Sequence, residues 1–153
     1  MATPEERIAE LGLTLPEVAA PVASYTPTVR SGAHVYVSGQ LPFVEGELPA
    51  TGKVGAEVTP EAARDLAALC ALNAIAAVRA EVGELSDVVR IVKVGGFVAS
   101  TSDFTGQPGV INGASDLLAR VFGDAGVHAR AAVGVAALPL DSPVEVDMIV
   151  EVR

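Results

Sequence analysis

Residues 128–139 read HARAAVGVAALP, and VEVDMIVEV follows at 144–152. Arg130 and Glu145 are the two side chains there that can do chemistry. The arginine opens a run of small and branched apolar residues that would otherwise pass as a buried strand. A guanidinium at that point can be a solvated strand end, an ion-pair partner, or a clamp that grips an anion through parallel hydrogen bonds. Other chemistries fit the sequence less well. Two histidines, His34 and His128, and one cysteine are too few for a His/Cys metal site. There is no G-x-S-x-G elbow, Walker loop or dinucleotide glycine fingerprint. Cys70 lies inside LAALCALNAIAAV and reads as a packed core thiol. His34 reads as a strand-surface residue, and His128 as a loop residue ahead of a strand.

The elements that must position Arg130 and Glu145 follow from caps and periodicity. Thr3-Pro4-Glu5-Glu6 places an N-cap, a proline in the first turn and a capping-box glutamate, and Gly12 can end that short helix. Pro16, Pro21 and Pro27 mark residues 14–27 as an extended arm. HVYVSG (34–39) alternates as a strand ended by Gly39. Residues 42–58 are rich in Gly and Pro and read as a long loop. Thr59-Pro60-Glu61 starts a helix that runs to about Val82, with Gly83 just past its end. On it Leu66, Leu69, Cys70, Asn73 and Ala77 share a face. VVRIVKVGGFV (88–98) is a strand in which Gly95-Gly96 suggests a bulge or a close neighbour. A second helix is expected near 110–122, with Asp116 and Arg120 as an i,i+4 pair.

Two strands, 131–137 and 144–152, follow, joined by LPLDSP. The order of strand, helix, strand, helix and two strands predicts a two-layer α+β domain, with the sheet packed on two helices. In the last strand Val144, Val146, Met148, Val150 and Val152 should meet the helices, with Glu145, Asp147, Ile149 and Glu151 on the other side. In strand 131–137 the side shared with Arg130 holds Ala132, Gly134 and Ala136, and such small residues suggest the approach of another backbone, such as that of a second subunit. If the final two strands form a hairpin, Arg130 and Glu145 share a face but lie about 20 Å apart. They could act together only across a subunit boundary. Spacing alone favours the simpler reading, a strand-end charge and a solvated sheet residue.

Composition bounds the class. A chain of 153 residues is a prior for one domain, here 1–153 with an N-terminal helical arm over about 1–24. Half the residues are hydrophobic and 19% charged, a globular balance. Ten basic against 19 acidic residues give a net charge of −9, which opposes binding to nucleic acid and to anionic membranes. One cysteine allows no intramolecular disulfide, and the N-terminus has neither a basic region nor an apolar core of the secretory kind. The expectation is a cytoplasmic protein. The high apolar content suits an oligomer.

Three stretches together carry a resemblance. HVYVSGQLP, GVINGASDLLARVFG, and HARAAVGVAALP followed by VEVDMIVEV occur in the order found in the Rid (YjgF) family, also known as endoribonuclease L-PSP. The resemblance spans about Tyr25 to Val152. It implies a chorismate-mutase-like α+β fold and a homotrimer whose sheets form a central barrel, with clefts between subunits. It implies hydrolysis of reactive 2-imino or enamine acids, such as 2-aminoacrylate, to 2-keto acids and ammonia, without metal or organic cofactor. Carried over by position, Arg130 clamps the substrate carboxylate and Glu145 positions water. Ser38 and Gly39 line the cleft, Asn112 orders it, Tyr25 closes one side, and the backbone N–H of Ala132 faces the ligand. The ligand would be a small carboxylate. Two departures stand out. Ala132 occupies a position where many members carry cysteine, and Tyr25 sits in Ser24-Tyr25-Thr26-Pro27 rather than a P-Y-S-Q-like stretch. The alternatives are a non-catalytic carboxylate binder on the same trimer and an endoribonuclease.

Overall fold

A computed structural model describes residues 1–18 and 24–153. Pro21 of the expected extended arm lies outside the described residues. The capping signals hold. Helix α1 (Pro4–Glu10) starts at Thr3, whose hydroxyl accepts from the Glu6 N–H while Glu6 reaches back to the Thr3 N–H. Helix α2 (Pro60–Val82) starts at Thr59 and stops at Gly83, whose φ of 91° suits a glycine. Helix α3 (Gln107–Phe122) begins three residues earlier than the expected 110.

The strands are β1 (Thr28–Ser31), β2 (His34–Gln40), β3 (Val88–Ala99), β4 (Ala129–Val135) and β5 (Val144–Val152). Strand β1 was not expected. It forms a hairpin with β2 over Gly32-Ala33. The sheet order is β1-β2-β5-β3-β4. Helices α2 and α3 cover one face. The alternation expected of β5 is observed: Val144, Val146, Met148, Val150 and Val152 are all buried against the helices.

The terminal hairpin does not form. Strand β4 pairs in parallel with β3, returning through α3, and β5 inserts between β3 and β2. Residues 136–143 carry the chain past the end of β3, a span that two-strand spacing of about 10 Å makes easy for eight residues. The face that Arg130 shares with Ala132 and Gly134 is therefore covered by the chain's own α3 end. A side chain at Gly134 would meet Gln107 and Ser100. The Gly95-Gly96 pair marks close neighbours on both faces: a Cβ at Gly95 would run into the Asp147 carboxylate, and one at Gly96 into Ile111 of α3. The irregularities of β3 fall earlier, between Val88 and Lys93.

Two further details place the site. Asp116 pairs with Arg64 of α2 at 2.8 Å, not with Arg120 in its own helix. Helix α3 approaches α2 closely at Gly113, where an added Cβ would run into the Arg64 carbonyl. The loop 42–58 forms no extended strand, but its Val54 and Val58 are buried in the core. Among the described residues, no helix is long and apolar enough to cross a membrane.

Candidate functional site

Arg130 lies on β4, the edge strand, opposite the buried Val94 of β3, so its side chain points to the helix side of the sheet. One end of the guanidinium is pinned there. Its Nη1 donates to Asn112 Oδ1 at 2.8 Å and to Ser115 Oγ at 3.1 Å, both on α3. Nη2 makes only a long contact of 3.5 Å with the Pro108 carbonyl. No carboxylate pairs with Arg130 among the described residues. The Nε–Nη2 edge thus keeps the fork geometry that matches a carboxylate. Asn112 and Ser115 are three apart on a helix and share a face, and His128 sits one residue ahead of β4, two before Arg130. Ser115 Oγ also meets His128 Nε2 at 2.9 Å, and His128 Nδ1 meets the Gly126 carbonyl at 2.6 Å. A cavity of about 270 Å³ opens beside this network, walled by Ala119 and Val127.

Glu145 lies on β5 opposite Phe97, on the face turned away from the helices, together with Asp147. Between Val37 and Gln40 strand β2 slips its register against β5, which brings the Gly39 backbone over the Glu145 carboxylate. A Cβ at Gly39 would stand 2.8 Å from Glu145 Cδ. Partial burial raises the Glu145 carboxyl above its ordinary pKa, and the neighbouring Asp147 adds to the rise. Asp147 is also raised by burial, against the opposing pull of a Gly95 hydrogen bond and of Lys93. Burial, reinforced by Glu145, pushes the Cys70 thiol well up, which fits an inert core cysteine. Ser38 donates its hydroxyl to the Thr26 carbonyl at 2.6 Å, and its N–H to Pro27, fixing the segment that presents the exposed Tyr25. Asn73 on α2 donates to the carbonyls of Leu41 and Phe43 and holds the chain just beyond Gly39.

The structure sorts the expected residues into two groups. Arg130, Asn112 and Ala132 meet at the α3–β4 edge. Gly39 and Glu145 meet at the β2–β5 bulge, with Ser38 beside them and Tyr25 on the segment that Ser38 bonds. Within one chain the groups are apart, and the shared face expected for Arg130 and Glu145 is corrected. Strand β3 lies between them, their backbones are roughly 14 Å apart by strand spacing and register, and they point to opposite faces. Sequence reasoning missed Ser115, His128 and Asn73. No local pattern singled them out, because their roles depend on α3 packing against β4 and on the chain beyond Gly39 folding back to α2.

An edge-strand arginine with an open fork, on a five-stranded sheet backed by two helices, defines a small two-layer α+β protein. Comparison with known proteins agrees with that class. The family described as "YjgF/chorismate_mutase-like, putative endoribonuclease" matches residues 5–152. Protein TCP17 of Trypanosoma cruzi is 46% identical over 144 residues, covering 94% of this chain and 90% of that protein. The crystal structure of Atu1372 from Agrobacterium tumefaciens, a protein of unknown function, is 49% identical with a TM-score of 0.93, covering 98% of this chain and 92% of that one. More distant is the E. coli TdcF structure with bound serine, 28% identical with a TM-score of 0.60, over 92% of this chain and 95% of that one. The chain belongs to the YjgF/chorismate-mutase-like family.

Proposed function

We propose that this protein hydrolyses reactive 2-imino or enamine acids to 2-keto acids and ammonia, at a site completed by a second subunit of a homotrimer. The observation that carries the reading is the half-anchored guanidinium of Arg130. Asn112 and Ser115 fix one nitrogen, and the remaining edge can take a carboxylate through two charge-assisted bonds. The serine bound by the TdcF relative is a ligand bearing such a carboxylate.

Glu145 supplies the other half. A carboxyl held above its ordinary pKa can take a proton from water as the oxygen attacks the imine carbon, then return it to the departing nitrogen. An enamine first takes a proton at its terminal carbon and loses one from nitrogen to become the imine; water then adds across C=N, the C–N bond breaks, and ammonia and the keto acid leave. The open sheet face exposes Val29, Tyr36 and Val133, apolar surface that assembly would cover. Ala132 in place of a cysteine favours a second reading, a carboxylate binder without turnover. The net charge of −9 weighs against an RNA substrate.

The test is competitive. A serine dehydratase generates 2-aminoacrylate, semicarbazide traps it, and pyruvate is followed. The wild type should outrun the trap, and Arg130→Ala should not. Equal behaviour of the two would remove the deaminase reading, and carboxylate binding without turnover would establish the binder.

A further inference from the structure

We propose that Ser115 and His128 are positioning residues for Arg130, a hydrogen-bond relay that holds the guanidinium fork at the angle a small carboxylate requires. The inference rests on the carboxylate-clamp reading of Arg130.

The direction of each bond is fixed by chemistry. The Gly126 carbonyl can only accept, so His128 Nδ1 carries the proton in that bond. In the neutral imidazole Nε2 is then an acceptor, and the Ser115 hydroxyl donates to it. The guanidinium can only donate, so the Ser115 lone pair receives Arg130 Nη1. The relay runs one way, from Arg130 through Ser115 and His128 to the backbone of the turn at 123–126. Its ends are a strand and a turn, and its middle is a helix, so the three elements that meet at this edge all fix the arginine.

Serine on a helix has a competing option, donation to a carbonyl of its own preceding turn. His128 draws the Ser115 proton the other way and leaves the oxygen facing Arg130. His128 therefore acts on Arg130 only through Ser115. Asn112 holds the same Nη1, so loss of the relay loosens the fork without releasing it.

The experiment measures the dissociation constant of pyruvate, a stable small carboxylate, by calorimetry on the intact protein. Ser115→Ala should weaken binding about tenfold, the scale of one lost hydrogen bond to a charged group, and His128→Leu several-fold less. Ser115→Thr and His128→Gln, which keep a hydroxyl and an acceptor, should bind within about twofold of wild type. The decisive arm is the double variant. Adding His128→Leu to Ser115→Ala should change nothing further, because the route to Arg130 is already cut. A purely structural role for His128 would give additive losses and overturn the inference, as would wild-type binding by Ser115→Ala. A wild type that binds no pyruvate would overturn it together with the clamp. If binding follows this pattern while the wild type fails to outrun the semicarbazide trap, the deaminase reading falls and the relay stands.

Discussion

Gly39→Ala separates positioning from stability. In the wild type the Gly39 backbone lies over the Glu145 carboxylate. An added methyl would stand 2.8 Å from Cδ and 3.0 Å from Oε1. Carbon atoms pack comfortably at about 3.5 Å or more, so the carboxylate must withdraw by about 0.7 Å. What yields is the tip of a half-buried glutamate, not backbone, so the strain is small. Gly39 has no left-handed backbone angle, and replacing such a glycine by alanine stabilises by about 0.4–1 kcal/mol through the unfolded chain. The two effects oppose, and net stability should stay within about 1 kcal/mol, or a Tm change of about 2–4 °C for a chain this size.

Catalysis should not be spared. In the proposed reaction Glu145 must meet a water and a reacting carbon, and a displacement approaching 1 Å of such a group costs up to about a hundredfold. The expected result is a loss of ten- to a hundredfold in kcat/KM for 2-aminoacrylate hydrolysis, with an ordinary melting curve. Turnover equal to wild type would refute the placement of Glu145 at the reacting centre. A Tm loss well beyond 4 °C would refute the argument that the carboxylate absorbs the strain.

Stability and pH supply two more tests. Glu145 has a raised pKa in the fold, so its contribution to stability is complete below the unfolded carboxylate pKa and is lost as pH rises through the folded value. Glu145→Gln, which cannot ionise, should therefore melt higher than wild type at neutral pH, with the gap closing as pH falls through the carboxylate range. An equal gap at pH 3 and pH 7 would contradict this. Gly113→Ala would push a methyl into the Arg64 carbonyl of α2, where two packed helices cannot easily give, and should cost about 1–3 kcal/mol by thermal or urea unfolding. An unchanged midpoint would show that α2 and α3 are less closely seated than their geometry indicates.

Local chemistry made much of this fold legible. Thr3, Thr59 and Gly83 mark helix ends because caps are decided by neighbours in sequence. The strict alternation of β5 identified its buried face. The pairing of strands is a different kind of information. A short linker ending in proline reads as a turn, yet β5 leaves β4 to lie between β2 and β3, a choice made by pairing on both edges and by burial of its valines under the helices rather than by the linker. Strand β1 has only four residues, too few to show a period. The same division holds at the site. Arg130 is conspicuous by its type in an apolar run. Ser115 and His128 are ordinary residues in sequence and become informative only once α3 folds back onto β4.

The separation of Arg130 and Glu145 leads to a test of where the site is built. They project from opposite faces with β3 between them, so no side-chain motion within one chain brings both onto one small ligand. If turnover needs both, it needs two chains. Arg130→Ala and Glu145→Gln should each be inactive alone. Denatured together in equal amounts and refolded, they should form mixed assemblies if the proposed homotrimer holds. A site is intact when its arginine comes from a Glu145→Gln chain and its glutamate from an Arg130→Ala chain. Random assembly produces that combination at about a quarter of sites, since each choice has even odds in a closed ring. The mixture should recover about a quarter of wild-type turnover, and the two variants refolded separately and then combined should recover far less. No recovery after joint refolding, with mixed assemblies present by native mass spectrometry, would mean that the two residues do not share a site, and Glu145 would lose its place in the reaction.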